Sequence, residues 1–373
     1  MKHQTMSVGR CACAAWLLGA WIAAAPLGCT PPRPRTDGQA TSTYRPGVDS
    51  TASTPIDGAA SNTINPAILS REDWRYTTAE GEIIRTTHYR IFTTTKDKVI
   101  RVRLALFLEH ALAHYRSAIT PLPEPETKLD TYLMNNRPQW ERITKQLMGQ
   151  QAESLLKIPR GGYASRGFGV FYDIGLFDTL AIAGHEGWHQ FTQKSFKESL
   201  PAWLEEGLAT YMEGHRWEQN VPTFRPWANV QRFDQLRKAK NAGQLMSLDE
   251  LLGSRPQDFL DVTDDRVLTF YAQLWALTHF LNEGQGGKYA AGLREAVSDA
   301  ALGRLSETMS SRLGERAGSM MATRNGPGVF LAYFNSDVGA AGTEFAQFLD
   351  QLTQTGARGP VVEGASPFVK SGQ

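Results

Sequence analysis

Residues 185–190 read His-Glu-Gly-Trp-His-Gln, and no other feature limits the fold as strongly. Positions four apart lie on one face of a helix, so His185 and His189 can bind one ion together. Zinc suits two imidazoles plus a carboxylate, with a fourth position left for water. Glu186 lies beside that face, where it can take a proton from such a water. The chain has three cysteines, Cys11, Cys13 and Cys29, all at its start. The rest therefore has no internal disulfide and no thiolate site, and any metal must be held by His, Asp or Glu. Apolar residues before the motif (Leu180, Ala181, Ile182, Ala183) and after it (Trp188, Phe191) predict a buried helix. Gly187 is out of place there, because glycine costs about 1 kcal/mol in a helix interior.

Residues 200–213 (LPAWLEEGLATYME) predict a second helix. Pro201 suits its start, and Trp203, Leu204, Leu208 and Tyr211 give it an apolar face. An H-E-x-x-H helix followed closely by W-L-x-E-G-x-A resembles the gluzincin superfamily of zinc metallopeptidases, including its bacterial peptidase MA-like domains. The resemblance implies that Glu206 is the third ligand, with its neighbour Glu205 the fallback. It implies a substrate-binding edge strand, here within residues 161–172, and an aromatic-rich helix, here around residues 271–281. It covers about residues 85–350, although only the two helices are distinctive. It also implies hydrolysis of an extended peptide or protein substrate by zinc-activated water, with Glu186 as general base. A Tyr or His usually donates to the oxyanion in this family; Tyr271 is the first choice, and His215, His279 and Tyr211 stay open.

The first 29 residues read as an export signal: Lys2 and Arg10, an apolar run over residues 12–25, then Pro26-Leu27-Gly28-Cys29. This resembles a bacterial lipoprotein signal with Cys29 as the lipidated residue, although Pro26 and Leu27 depart from the usual pattern. The expected location is the cell envelope, with an uncleaved anchor as the alternative. Residues 30–73, rich in Pro, Ser, Thr and Gly at their start, predict a flexible tether. A catalytic core is expected over residues 74–215, a helical part of the same domain over 216–355 and a loose tail over 356–373. The net charge of +1 offers no field for nucleic acid.

Strands are expected at residues 87–95 and 129–134, and a turn leading into a strand within 161–174. Helices are expected at 97–119, 137–156, 269–282 and 345–352, with capping-box spacing at Ser247 and Glu250. Strands mixed with helices, then helices alone, predict an α+β fold. His110 and His114 are also four apart, but no glutamate follows His110 and no downstream motif pairs with them, so they read as a helix face. His279 reads as a core histidine. Gly161-Gly162 near Arg160 lacks a phosphate-loop motif. Two other functions fit the sequence: a silent peptidase-like scaffold and a zinc amidase acting on cell-wall peptides.

Overall fold

Three strands, β1 (Ser70–Tyr76), β2 (Ala79–Arg85) and β3 (Tyr89–Thr93), form an antiparallel meander at the start of the folded chain. The computed structural model describes residues 67–158, 160–259, 265–322, 326–334 and 337–368. The expected export signal, Cys29 and residues 30–66 of the expected tether lie outside the described residues. Residues 70–73, expected as tether, belong to β1 instead.

The sheet continues in parallel through β4 (Leu129–Met134), then through β6 (Phe168–Tyr172), whose antiparallel hairpin partner β5 (Gly162–Ser165) closes the edge. The order is β1-β2-β3-β4-β6-β5. Parallel neighbours require crossovers. Helix α1 (Lys98–Tyr115) supplies the first; Asp97 accepts from the Val99 and Ile100 amides at its start. Helices α2 (Arg137–Met148) and α3 (Ala152–Leu155) supply the second, with Asn136 as the cap of α2. One sheet face packs Met134, Val170 and Tyr172 against Trp140, Ile143 and Met148 of α2. The other packs Ile91, Leu133 and Phe171 into the main core.

After β6 the chain is mostly helical: α4 (Leu176–Ser195) and α5 (Ala202–Met212), the small hairpin β7 (His215–Glu218) and β8 (Val221–Phe224), then α6 (Val230–Asn241) and α7 (Leu248–Gly253). The capping box at Ser247 and Glu250 is present at the start of α7. The central helix of this half is α8 (Arg266–Glu283), buried from Thr269 to Leu281. After it come α9 (Ala290–Leu302), α10 (Leu305–Leu313), α11 (Ala317–Ala322), α12 (Gly328–Tyr333), α13 (Val338–Leu352) and α14 (Arg358–Val362), of which α9 and α13 pack on α8 and α14 on α6. The fold is α+β, as the order of elements predicted. No helix among the described residues is long and apolar enough to cross a membrane.

The expected loose tail is, as far as Phe368, packed onto the domain. Arg358 pairs with Asp234 of α6, Arg216 donates to the Val362 carbonyl, and Phe368 packs against Trp227.

Two side chains of α4, Gln190 and Gln193, bind it to the sheet. The Gln190 amide donates to the carbonyls of Asp130 and Gly167 and accepts from the Thr131 hydroxyl. Gln193 donates to the Ala164 carbonyl and accepts from the Gly167 amide, so it grips both sides of the β5–β6 turn. Gly187 is explained by α1: a Cβ there would lie 2.6 Å from the Tyr115 hydroxyl, which donates to the Gly184 carbonyl at 2.7 Å. We expect Gly187→Ala to destabilise the protein by about 1–3 kcal/mol through overpacking. Adding Tyr115→Phe removes the clashing oxygen, so urea denaturation of the double variant should show less loss than the sum of the two singles.

Candidate metal centre

His185 and His189 lie one turn apart on α4, and Glu206 faces them from the second turn of α5. The three Nε2 and Oε2 atoms form a nearly equilateral triangle: 3.3 Å between the imidazole nitrogens and 3.4 Å from each to Glu206. A tetrahedral ion bound at about 2.0–2.1 Å holds its ligand atoms about 3.3–3.4 Å apart. Glu206 is fully buried, and neither of its oxygens makes a hydrogen bond. A buried, unsatisfied carboxylate is costly unless something cationic meets it. Among the described residues these three form a buried group able to hold a metal ion.

The far nitrogen of each imidazole meets a carboxylate, an arrangement that fixes the tautomer and raises ligand basicity. His189 Nδ1 lies 3.0 Å from Glu205, which also accepts from the Thr192 hydroxyl at 2.7 Å. Glu205 therefore backs His189 from outside the triangle. His185 Nδ1 lies 2.7 Å from Glu213, just past the end of α5. Glu213 receives both prongs of the Arg232 guanidinium, at 2.6 and 3.0 Å, and the Asn229 amide at 2.7 Å.

Glu186 is buried beside the triangle. One of its oxygens accepts from the Ala164 amide of the edge strand β5, and the other has no partner. Burial pushes its carboxyl up to about 7, against the pull of the two histidines. Burial also disfavours the charge on Glu206, but His189 and His185 outweigh it and hold that carboxyl at about 2. Glu213 is likewise held at about 2, chiefly by Arg232 working against burial. Both ligand imidazoles are shifted upward: burial opposes their charge, but the facing carboxylates prevail. Glu186, Glu205, Glu206 and Glu213 are all buried here, beside His185, His189 and the guanidinium of Arg232. Such an excess of buried acid suits a divalent cation.

A family profile described as a protein of unknown function (DUF1570) matches residues 179–302. The chain is similar to that family over this stretch. It runs from the first turns of α4 to the end of α9. None of the curated proteins matches the chain.

Of the candidates for a further polar group, Tyr271 is the one beside the triangle: its ring meets that of His185 edge-on at 5.9 Å. The other three are engaged elsewhere. His279 stacks on Trp227 at 3.6 Å and bonds to Glu283. Tyr211 accepts from Asn282. His215 packs against Phe107 and bonds to the Glu213 carbonyl. His114 stacks on Phe224, and its burial brings it down to about 4. Thr210 donates to the Gly207 carbonyl and reaches no ligand. The sequence reading missed Glu213, Arg232 and Asn229. Glu213 had a signal, because it stands seven residues after Glu206 and so shares its helix face.

Protons and a cation compete for the same imidazole nitrogens. Zinc affinity, followed by chelator competition, should therefore fall steadily from about pH 8 to about pH 5 as the raised histidines take up protons. Glu206→Ala should abolish stoichiometric binding. Glu205→Gln should weaken it about 10- to 100-fold.

Proposed function

We propose that the chain is a zinc-dependent peptidase of the gluzincin type, which hydrolyses peptide bonds in proteins or peptides at the cell envelope. The observation that carries this reading is the meeting of His185, His189 and Glu206 in one buried triangle, with an unpartnered oxygen of Glu186 beside it. Zinc is the metal that this donor set suits best. A bound zinc ion would supply Lewis acidity, polarising the scissile carbonyl and making a water acidic enough to be deprotonated near neutrality.

The chain's own residues supply the remainder. Glu186 takes the proton from the attacking water and passes it to the leaving amine. The Ala164 amide fixes the carboxylate that does this. Tyr271, whose ring meets that of His185 edge-on, would donate to the developing oxyanion. The edge strand β5 lies against the base through Ala164, and the gluzincin reading has the substrate held extended along this strand. The export signal and Cys29 supply the envelope location and the membrane as a partner.

One observation favours a silent binding domain: His185, Glu186, His189 and Glu206 are at most 4% exposed. A structural zinc site, however, has no use for a base, and Glu186 retains a free oxygen.

Peptide-library cleavage by zinc-loaded protein tests the reading. Glu186→Gln should lower turnover by about 10²- to 10⁴-fold while zinc content stays that of wild type. Zinc-independent turnover, or a fully active Glu186→Gln variant, would sink the proposal. Tyr271→Phe should cost up to about 10²- to 10³-fold in kcat. The base works as its carboxylate, so activity should rise with pH along a limb set by Glu186. A neighbouring dication pulls that limb to or below the value of about 7 that burial gives the residue.

A further inference from the structure

The two ligand histidines are supported by different parts of the fold. His189 depends on Glu205 and Thr192, which belong to α5 and α4, the helices that already carry the ligands. His185 depends on Glu213, and Glu213 is held from α6. The first turn of α6 is built around that carboxylate. Asn229 caps the helix by accepting from the Arg232 amide, and its own side-chain amide donates to Glu213 and to the Thr210 carbonyl. Arg232 adds its two-pronged contact. A carboxylate at a helix N-terminus is further stabilised by the helix dipole. The same guanidinium lies 5.1 Å over the Tyr271 ring, which itself abuts His185. Arg232 thus touches both Glu213, which supports His185, and the aromatic ring beside that histidine.

We infer that α6 is the third wall of the metal centre. Arg232 is a positioning residue: it fixes Glu213, and through it the His185 ring, so that cation binding and the docking of α6 stabilise one another. The coupling is reciprocal by thermodynamic necessity, because a cation that needs His185 in one orientation favours the state in which α6 is docked. Lysine cannot replace arginine here, since an ammonium cannot span both carboxylate oxygens. The inference rests on the metal-binding part of the reading above and not on peptidase activity.

The test is amide hydrogen exchange across residues 230–241 of the full chain, with and without Zn²⁺, alongside zinc affinity from chelator competition. Wild type should exchange more slowly in α6 when zinc is added. Arg232→Lys should bind zinc about 10- to 100-fold more weakly, and saturating zinc should protect its α6 less. Glu213→Gln, which keeps the side-chain volume, should weaken zinc binding in the same way; it carries the test if the lysine variant does not fold. Folded variants that bind zinc as tightly as wild type would overturn the inference. So would wild-type α6 exchange that ignores zinc. Zinc binding with coupled α6 protection but no peptide cleavage would remove the peptidase reading and leave this one standing. A wild-type chain that binds no divalent cation would end both.

Discussion

Glu206 is a fully buried carboxylate with no hydrogen-bond partner among the described residues, and much of the interior is arranged around it. Left alone, such a group would cost several kcal/mol of desolvation. It is tolerable because two imidazole nitrogens stand 3.4 Å away and a cation can sit between all three. Its depth is set by the next residue. A Cβ at Gly207 would lie 2.7 Å from the Thr278 hydroxyl and 3.3 Å from the Leu274 carbonyl, so α5 can press this closely on α8 only with glycine there. The W-L-x-E-G-x-A pattern thus combines a ligand with the packing that buries it.

Helix α4 has a second duty at right angles to the first. His185 and His189 share one stripe. Glu186, Gln190 and Gln193, at spacings of four and three, share the adjacent one. That second stripe faces the β5–β6 hairpin, where Ala164 gives its amide to Glu186 and its carbonyl to Gln193. One helix therefore fixes His185, His189, Glu186 and the sheet edge relative to one another. A small shift of α4 against the sheet would disturb all of them. This explains the tight contact with α1 at Gly187, where even a methyl group is excluded.

The parts legible in the sequence were those with local causes. β4 is marked by alternation, with Leu129, Thr131 and Leu133 on its buried face, and α1 begins at the cap that Asp97 offers. The triangle itself was readable because His185, His189 and Glu206 lie in two strongly patterned helices. The first strands were missed for a physical reason. β1 reads SREDWRY, a charged edge strand with almost no buried face, and only pairing with β2 makes it a strand. The hairpin β7–β8 turns on Gln219 and Asn220, both at positive φ, without the glycine that signals such turns. The packed tail was hidden because its anchors act at long range: Arg358 finds Asp234, and Arg216 finds the Val362 carbonyl. Arg232 and Asn229 were hidden likewise, since nothing before the docking of α6 says where that helix will point.

The stretch similar to the family of unknown function, residues 179–302, has a physical meaning in this fold. It contains the three triangle residues, both supporting carboxylates, Arg232, Asn229 and Tyr271, so every contact that builds the cation site is made within it. It omits the six-stranded sheet entirely. The base Glu186 is where the two parts meet, because its partner Ala164 lies outside the stretch. The group able to hold a cation is therefore built without a contribution from the six-stranded sheet. Glu186 meets the sheet edge through a backbone amide, a contact that does not depend on which side chain stands at position 164.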